Sequence, residues 1–458
     1  MFRAFIYLLF LFSGFFLSAG EVFILQTTDL HGIVHNTKNI AGAPSVIYSA
    51  AKDATRLGRD KTILVDCGDL LQGSLESADN KGEDMINLLN AARYDVWVPG
   101  NHDFEFGSKV LSERIKFFRG ATLAANLHFP NVGSYRIFQK NGYRIAVIGM
   151  TNPHLHQWFF RPEEEGFHIL PVEISYRRAL QFLLREKPDA IILAIHSGIY
   201  PSKRLDDRGL NVFARRHPEV KIILGGHTHE KVVCKELGGA KVYYFQAGAH
   251  GGGYLRIRLN FDDNTRKLLE VSGEYVPVAP KNHAELPKAF RPQQAKTPLL
   301  ARNFPVNPSR EKLAEMFGKA IVKAHPHVKG VFHGALTTYR PRTKFLNRIH
   351  LFRICPFENR VLIANINLQE WNAILKEQKE AEKYGMKQLF FPEVDVKILW
   401  ASSPHDRFPF AFNSYAASGA GGRFPVLKAI IDNPAARAVL TRSRIFDLME
   451  TYIKEVYK

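Results

Sequence analysis

Five short segments carry side chains able to hold cations: Thr28-Asp29-Leu30-His31-Gly32, Asp66-Cys67-Gly68-Asp69, Pro99-Gly100-Asn101-His102-Asp103, Ile195-His196-Ser197 and Gly225-Gly226-His227-Thr228-His229. Carboxylates, imidazoles and a carboxamide suit Mn, Zn, Fe or Co, whereas a thiolate-preferring metal would call for cysteines. Two divalent ions about 3.5–4 Å apart need a ligand in common, and a carboxylate bridges well. Asp29 and His31 are two apart, as are His227 and His229, so extended backbone would aim both members of each pair the same way. Glycines at 32, 68, 100, 225 and 226 let the chain turn sharply beside such ions. An Asp-x-His or a single strand-end histidine arises by chance; the five segments in this order form a specific pattern. His154, His156 and His250 lack such company and are expected to be loop residues.

Something must bring these segments together. Short runs rich in Val, Ile and Leu at 22–26, 62–65, 95–98, 144–149, 190–195 and 221–224 have the character of strands covered on both faces. Helical patterns fall between them, as over Glu173 to Glu186, which is α/β organisation. In open α/β sheets the site lies beyond the carboxyl ends of the strands, where all five segments fall. Later strands at 242–246, 255–260 and 268–276 have no helices between them, so the sheet system should finish antiparallel. Prolines at 277, 280, 287, 292, 298, 305 and 308 mark 277–308 as a linker or ordered crossing segment. Ser309 then caps a helix with Leu313, Met316, Phe317, Ala320, Ile321 and Ala324 on one face. A smaller α/β domain should follow over 309–458, with Asn367 and Glu370 forming the capping box of a core helix through Trp371, Ile374 and Leu375.

Composition narrows the classes. The 458 residues exceed one ordinary domain, and 46% hydrophobic with 12% aromatic content excludes a disordered chain. Residues 1–20 have the form of a secretory signal, with Arg3, an apolar run from Ala4 to Leu17, and Ser18-Ala19-Gly20 as the cleavage site. An exported protein, periplasmic or extracellular, is the expectation, with no membrane span in the mature chain. Three cysteines (Cys67, Cys234, Cys355) make no disulfide framework; one bridge with a spare is open, and buried thiols are favoured because Cys67 and Cys355 sit in apolar runs. The net charge of +18 is scattered, which suits a small anionic substrate rather than a stable nucleic-acid complex. Neither a Gly-x-Ser-x-Gly elbow nor a phosphate loop ending in Gly-Lys-Ser/Thr is present, and Gly251-Gly252-Gly253 is expected to be a tight turn.

Taken in order, the five segments resemble those of the calcineurin-like metallophosphoesterase superfamily. The two-domain layout resembles its 5′-nucleotidase, 2′,3′-cyclic-nucleotide phosphodiesterase and UDP-sugar hydrolase branch. That resemblance implies a four-layer α/β/β/α sandwich over 21–276 and a substrate-binding domain over 309–458. It implies a first metal held by Asp29, His31, Asp69 and His229, and a second held by Asp69, Asn101, His196 and His227, with Asp69 bridging. It further implies in-line attack on phosphorus by a metal-bound hydroxide, with His102 stabilising charge on the phosphate or leaving oxygen. The acid orienting His102 would be Glu105, with Asp103 as its substitute.

Two C-terminal stretches extend the likeness. Pro356-Phe357-Glu358-Asn359 resembles a Pro-Phe-x-Asn signature, and Asn413 to Gly422 resembles an aromatic-x-Ala-x-Gly loop. By resemblance Phe357 and Tyr415 would sandwich a nucleobase, about 1–3 kcal/mol each, with Asn359 a further substrate contact. Where the family has Asn-Gly-Gly-Gly-Ile-Arg this chain has Phe332 to Arg340, which makes Arg340 the candidate arginine; after Gly421-Gly422 it has Arg423 in place of Asp. A nucleotide is the expected substrate. The alternatives are nucleotide sugars, a cysteine-linked thiosulfonate of sulfur oxidation, or non-catalytic capture of nucleosides or anions.

Overall fold

The structure is a computed structural model describing residues 19–36, 40–199, 207–280, 283–291, 293, 295–383, 390–394, 403 and 405–458. The expected signal segment lies outside the described residues as far as 18; Ala19 and Gly20 open the first strand, Ala19–Thr27.

Two mixed six-stranded sheets stack face to face. One runs Leu268–Pro277, Gly253–Asp262, Ala19–Thr27, Thr62–Asp66, Val96–Trp97, Ala121–Thr122; the other runs Lys231–Leu237, Val242–Ala247, Val220–Leu224, Ala190–Ile195, Tyr143–Met150, Tyr135–Lys140. Successive side chains of a strand point to opposite faces, and here both faces are covered. Val22, Ile24, Ile63, Val65, Ile192 and Ala194 fill the space between the sheets. Leu25 and Leu64 face outward under Val46, Ile47, Met85, Ile86 and Leu111 of three helices. Ile191, Leu193 and Ile195 face outward under Tyr176, Leu183, Leu210 and Phe213 of the helices Val172–Leu183 and Asp207–Arg216. The result is the four-layer α/β/β/α sandwich, closed by the antiparallel strands Gly253–Asp262 and Leu268–Pro277. Two strands not apparent in the sequence, Tyr135–Lys140 and Lys231–Leu237, are the edges of the second sheet, where one face meets solvent and no apolar run is needed.

The C-terminal part is a five-stranded sheet, Phe390–Val394, Gly330–Gly334, Phe408–Asn413, Arg360–Ile366 and Val439–Arg444. Helices Arg310–Ala324, Arg348–Ile354 and Ile445–Val456 cover one face. Helices Leu368–Lys383 and Pro425–Asp432 cover the other, over Phe332, Leu362, Phe410 and Phe412. Ser309 Oγ caps its helix by accepting from Lys312 N, and Asn367 and Glu370 exchange the two bonds of a capping box. The proline-bearing segment is packed: Leu286 and Phe290 join the N-terminal core, while Leu300, Ala301 and Phe304 join the C-terminal one. The three thiols are free; Cys67 and Cys355 are buried, but Cys234 on an edge strand is only half-buried.

Candidate functional site

All five segments emerge at one end of the paired sheets, and backbone hydrogen bonds lace their loops together. Asp29 N donates to Gly68 O and His31 N to Asp69 O, each at 2.8 Å. The backbone behind the paired ligands differs from the extended one that their spacing suggests. The first strand ends at Thr27, and Asp29 and His31 are left-handed at φ 52° and 49°, as are His227 and His229 at 75° and 61°. Each pair converges because its backbone folds back on itself, not because it is extended. Such conformations are costly for non-glycine residues and concentrate at functional sites. Gly100 shows how tight the cluster is: a Cβ there would lie 2.3 Å from Asp69 Oδ1 and 2.7 Å from His196 Cε1.

Two groups of donors result, Asp29 with His31 and His229, and Asp69 with His196 and His227. Asp69 Oδ2 stands between them, 3.0 Å from His196 Nε2 and 3.9 Å from His31 Nε2. In the first group His31 Nε2 is 2.9 Å from His229 Nε2, and His229 Nε2 is 3.4 Å from Asp29 Oδ1. Asn101 is buried beside them; its Oδ1 accepts from Asn152 Nδ2 at 3.3 Å, and the following N–H, of His102, donates to Asp69 Oδ1. Backbone carbonyls fix two of the rings. His196 Nδ1 faces Cys67 O at 2.6 Å and His31 Nδ1 faces Gln72 O at 3.3 Å. A carbonyl can only accept, so each Nδ1 carries a proton and each Nε2 is turned toward the cluster.

The electrostatics fit a pair of cations. Asp29 and Asp69 are buried, and among the described residues their ion-pair partners are histidines alone. Buried carboxylates without compensating charge are expensive. Burial works against ionisation of both; His196 and His102 more than offset it at Asp69, which is held well below the usual carboxylate range, whereas Asp29 is pushed up. Burial, then neighbouring imidazoles, pushes His227 down to about 3 and His229 to about 4, so both rings are neutral at pH 7 and open to a cation. Against burial, Asp69 pushes His196 up to about 10, a measure of how strongly this carboxylate draws positive charge.

Beside the donor groups stands His102. Its Nδ1 is 2.5 Å from Glu105 Oε1, one 3₁₀ turn on, and its ring is 5.2 Å from that of His31. Burial would lower this imidazole, but Asp69 and Glu105 push it up to about 9. The other Glu105 oxygen accepts from Glu358 N of the C-terminal domain at 3.0 Å, and Gln72 Nε2 reaches Pro356 O at 2.5 Å. Asp103 does not take part in orienting His102. Its carboxylate accepts from Leu70 N, Leu71 N and Gly100 N at 2.7–2.9 Å and staples two loops.

Between the domains opens a cavity of about 200 Å³, walled by His102, Glu105, Trp158, Phe160, Phe357, Asn359, Tyr415 and Arg423 among others. Phe357 stacks on His102 (centroids 6.1 Å, 24°). Asn359 Nδ2 is buried with no hydrogen-bond partner among the described residues. Arg340 is not brought here: its Nη1 donates to Thr337 O and Tyr339 O, because the turn after Gly330–Gly334 curls back on itself.

Sequence reasoning missed Trp158, which stacks on Tyr415 (5.6 Å, 22°) and meets His227 edge-on at 5.3 Å. Gly421 N donates to Gln157 O at 3.0 Å and holds the two loops together. The run Trp158-Phe159-Phe160, apolar without strand or helix period, was the available signal. His250 was missed as well. Its ring lies 4.9 Å from His229 and 5.3 Å from His31, its backbone N–H donates to Asp29 O, and no spacing to another histidine announces it. His154 precedes, and His156 lies within, the one-turn 3₁₀ helix Leu155–Gln157 that leads into Trp158.

Residues 24–231 match the calcineurin-like phosphoesterase family. The chain is 26% identical over 322 residues to the UshA protein of Salmonella pullorum, covering 62% of this chain and 56% of that one. It is 29% identical over 231 residues to a 5′-nucleotidase of Vibrio cholerae serotype O1, covering 46% and 41% respectively. The chain thus spans about half the length of the curated relatives it matches. A 5′-nucleotidase precursor of Thermus thermophilus superposes with a TM-score of 0.67 at 17% identity, over 95% of this chain and 97% of that one. The sulfate thiohydrolase SoxB of the same organism does so at 0.61 and 17%, over 96% and 94%. At such identity these likenesses speak for the two-domain fold alone.

Proposed function

Residues 24–231 belong to the calcineurin-like phosphoesterases, and on that premise we propose that the chain hydrolyses nucleotides with the help of two divalent cations. The observation that carries this reading is Asp69, which stands in one group of candidate cation ligands with its Oδ2 3.9 Å from His31 Nε2 of the other, beside an aromatic cavity. Asp29, His31, Asp69 and His229 would hold one cation, and Asp69, Asn101, His196 and His227 the other. Mn, Zn, Fe and Co all suit these donors. Bound there, the cations would neutralise phosphoryl charge, lower the pKa of water and align it with the leaving group.

The side chains supply the rest. In the hydrolysis, water oxygen joins phosphorus as the P–O ester bond breaks, and the leaving oxygen takes up a proton. His102, kept protonated by Asp69 and Glu105, directs Nε2 at the ester and can hold or give that proton. Phe357 and Tyr415 would face the base, and the unpartnered Asn359 amide would donate to the substrate. Glu105 links the two functions, since one oxygen orients His102 and the other receives the Glu358 N–H.

Export belongs to the same proposal. Residues 1–20 have the character of a signal, and among the described residues no helix is long and apolar enough to cross a membrane. The test is a panel of adenosine monophosphate, 2′,3′-cyclic nucleotides and UDP-sugars with added Mn²⁺. Hydrolysis of at least one is expected, read as free phosphate from the monophosphate and as the monophosphate products from the other two; hydrolysis of none overturns the reading.

A further inference from the structure

The cavity wall holds three carboxylates and two guanidiniums, and four of these five charges are spoken for. Glu105 is taken by His102 and the Glu358 N–H. Glu165 pairs with Arg360. Glu358 pairs with Arg444 from outside the cavity, Nε to Oε2 at 3.1 Å. Arg423 alone has no carboxylate within reach among the described residues. Its guanidinium is nevertheless held in a defined position. Nε donates to Ala420 O at 2.7 Å, one terminal nitrogen donates to the Tyr415 hydroxyl, and Cζ lies 5.6 Å from the Tyr415 ring centroid. The other terminal nitrogen has no acceptor among the described residues. An arginine fixed on two anchors with a free edge is a pre-formed receptor for a tetrahedral or planar anion.

Trp158 stands between the donor group and Tyr415, 5.3 Å from the His227 ring and 5.6 Å from that of Tyr415, and Arg423 is anchored at the hydroxyl of Tyr415. We infer that Arg423 forms a subsite for a second phosphate group, carried on the substrate at the end remote from the ester that is cleaved. The class selected would be nucleotides phosphorylated at two separate positions, over simple monophosphates. This inference rests on the proposed nucleotide hydrolysis and deepens it.

The test compares adenosine 3′,5′-bisphosphate with adenosine 5′-monophosphate on one Mn²⁺-loaded preparation, reading the ratio of the two kcat/KM values. Because both substrates meet the same enzyme, the ratio does not depend on how much of a variant is folded. The wild type should favour the bisphosphate by about tenfold or more, the scale of a hydrogen bond to a charged group. In Arg423→Gln the ratio should fall to near one, through KM; Arg423→Lys, which keeps the charge but not the fork, should fall between. A wild-type ratio near one, or a ratio that Arg423→Gln leaves unchanged, overturns the inference. Calorimetry with adenosine 3′-monophosphate against adenosine repeats the comparison without turnover. An Arg423-dependent preference in binding, with no hydrolysis of either substrate, would sink the hydrolytic reading and keep the subsite. Hydrolysis of both substrates with equal efficiency would do the reverse.

Discussion

The cation cradle and the cavity beside it are built in opposite ways. The cradle is made of loops that each leave the carboxyl end of a strand, and its donors are fixed by backbone hydrogen bonds between those loops, such as Asp29 N to Gly68 O and His31 N to Asp69 O. The cavity is made where two separately packed domains meet, and its walls come from Trp158 and Glu105 on one side and Phe357, Tyr415 and Arg423 on the other. In the cradle a change of one side chain cannot be absorbed, because the backbone is already committed to left-handed turns at Asp29, His31, Asp69, His227 and His229. In the cavity the walls come from both domains, and a side-chain change there leaves those turns untouched. On the proposed function the chemistry would reside in the first half and selectivity at the seam of the two domains.

The largest expected effect tests the cradle. Asp69→Asn keeps the shape but removes the charge that lies against His196 and His31. Turnover should fall by at least about 10⁴-fold, as when one member of a cooperating catalytic set is lost. Metal analysis should find fewer than two cations bound per chain. Two bound cations with near-normal turnover would break the contrast at its root.

The same contrast explains what could be seen from residues alone. Asp29, His31, Asp69, His196, His227 and His229 were legible because strand ends deliver side chains to a common edge whatever the rest of the chain does. Even there the backbone was not legible, since folded-back turns stand where the spacing suggests extended chain. The sandwich was legible because strands buried on both faces must be continuously apolar, as Ile191 to Ile195 are. The edge strands of its second sheet, Tyr135–Lys140 and Lys231–Leu237, were not, because they face solvent and need no such run. Trp158 against Tyr415 brings together residues 257 positions apart from different domains, and nothing local encodes that pairing. Asp103 was misjudged for a related reason: an acid beside a histidine can serve either the ring or the backbone, and only the loop geometry decides.

Between the halves lies His102. His102→Ala should lower kcat by about 10²–10⁴-fold with little change in KM, the usual range for a positioned proton carrier. Glu105→Gln should cost less, about 10-fold, because the ring keeps its place against His31 while its orienting acceptor weakens. A Glu105→Gln loss appearing in KM instead would mean that the Glu358 N–H contact, and so domain contact, is what Glu105 serves.

The cavity aromatics should respond more gently and with opposite signs. Tyr415→Ala should raise KM for nucleotides by about 10-fold, from the 1–3 kcal/mol of a stacked base, and leave glycerol phosphate unaffected. Trp158→Ala should lower KM for nucleotides by about 2–10-fold, since the Trp158–Tyr415 stack, about 0.5–1.5 kcal/mol, no longer competes with the base. If both variants raise KM, Trp158 is part of the base platform and the cavity is more firmly built than its separate origins imply.

The smallest effect should come from Arg340→Ala. Its guanidinium closes its own turn through Thr337 O and Tyr339 O and stands outside the cavity. The turn can give those carbonyls to water, so stability should change by within about 0.5 kcal/mol and KM by less than about twofold. A tenfold rise in KM would mean that the domains close further when substrate binds and carry Arg340 inward. The seam between the domains would then be the place of a working motion.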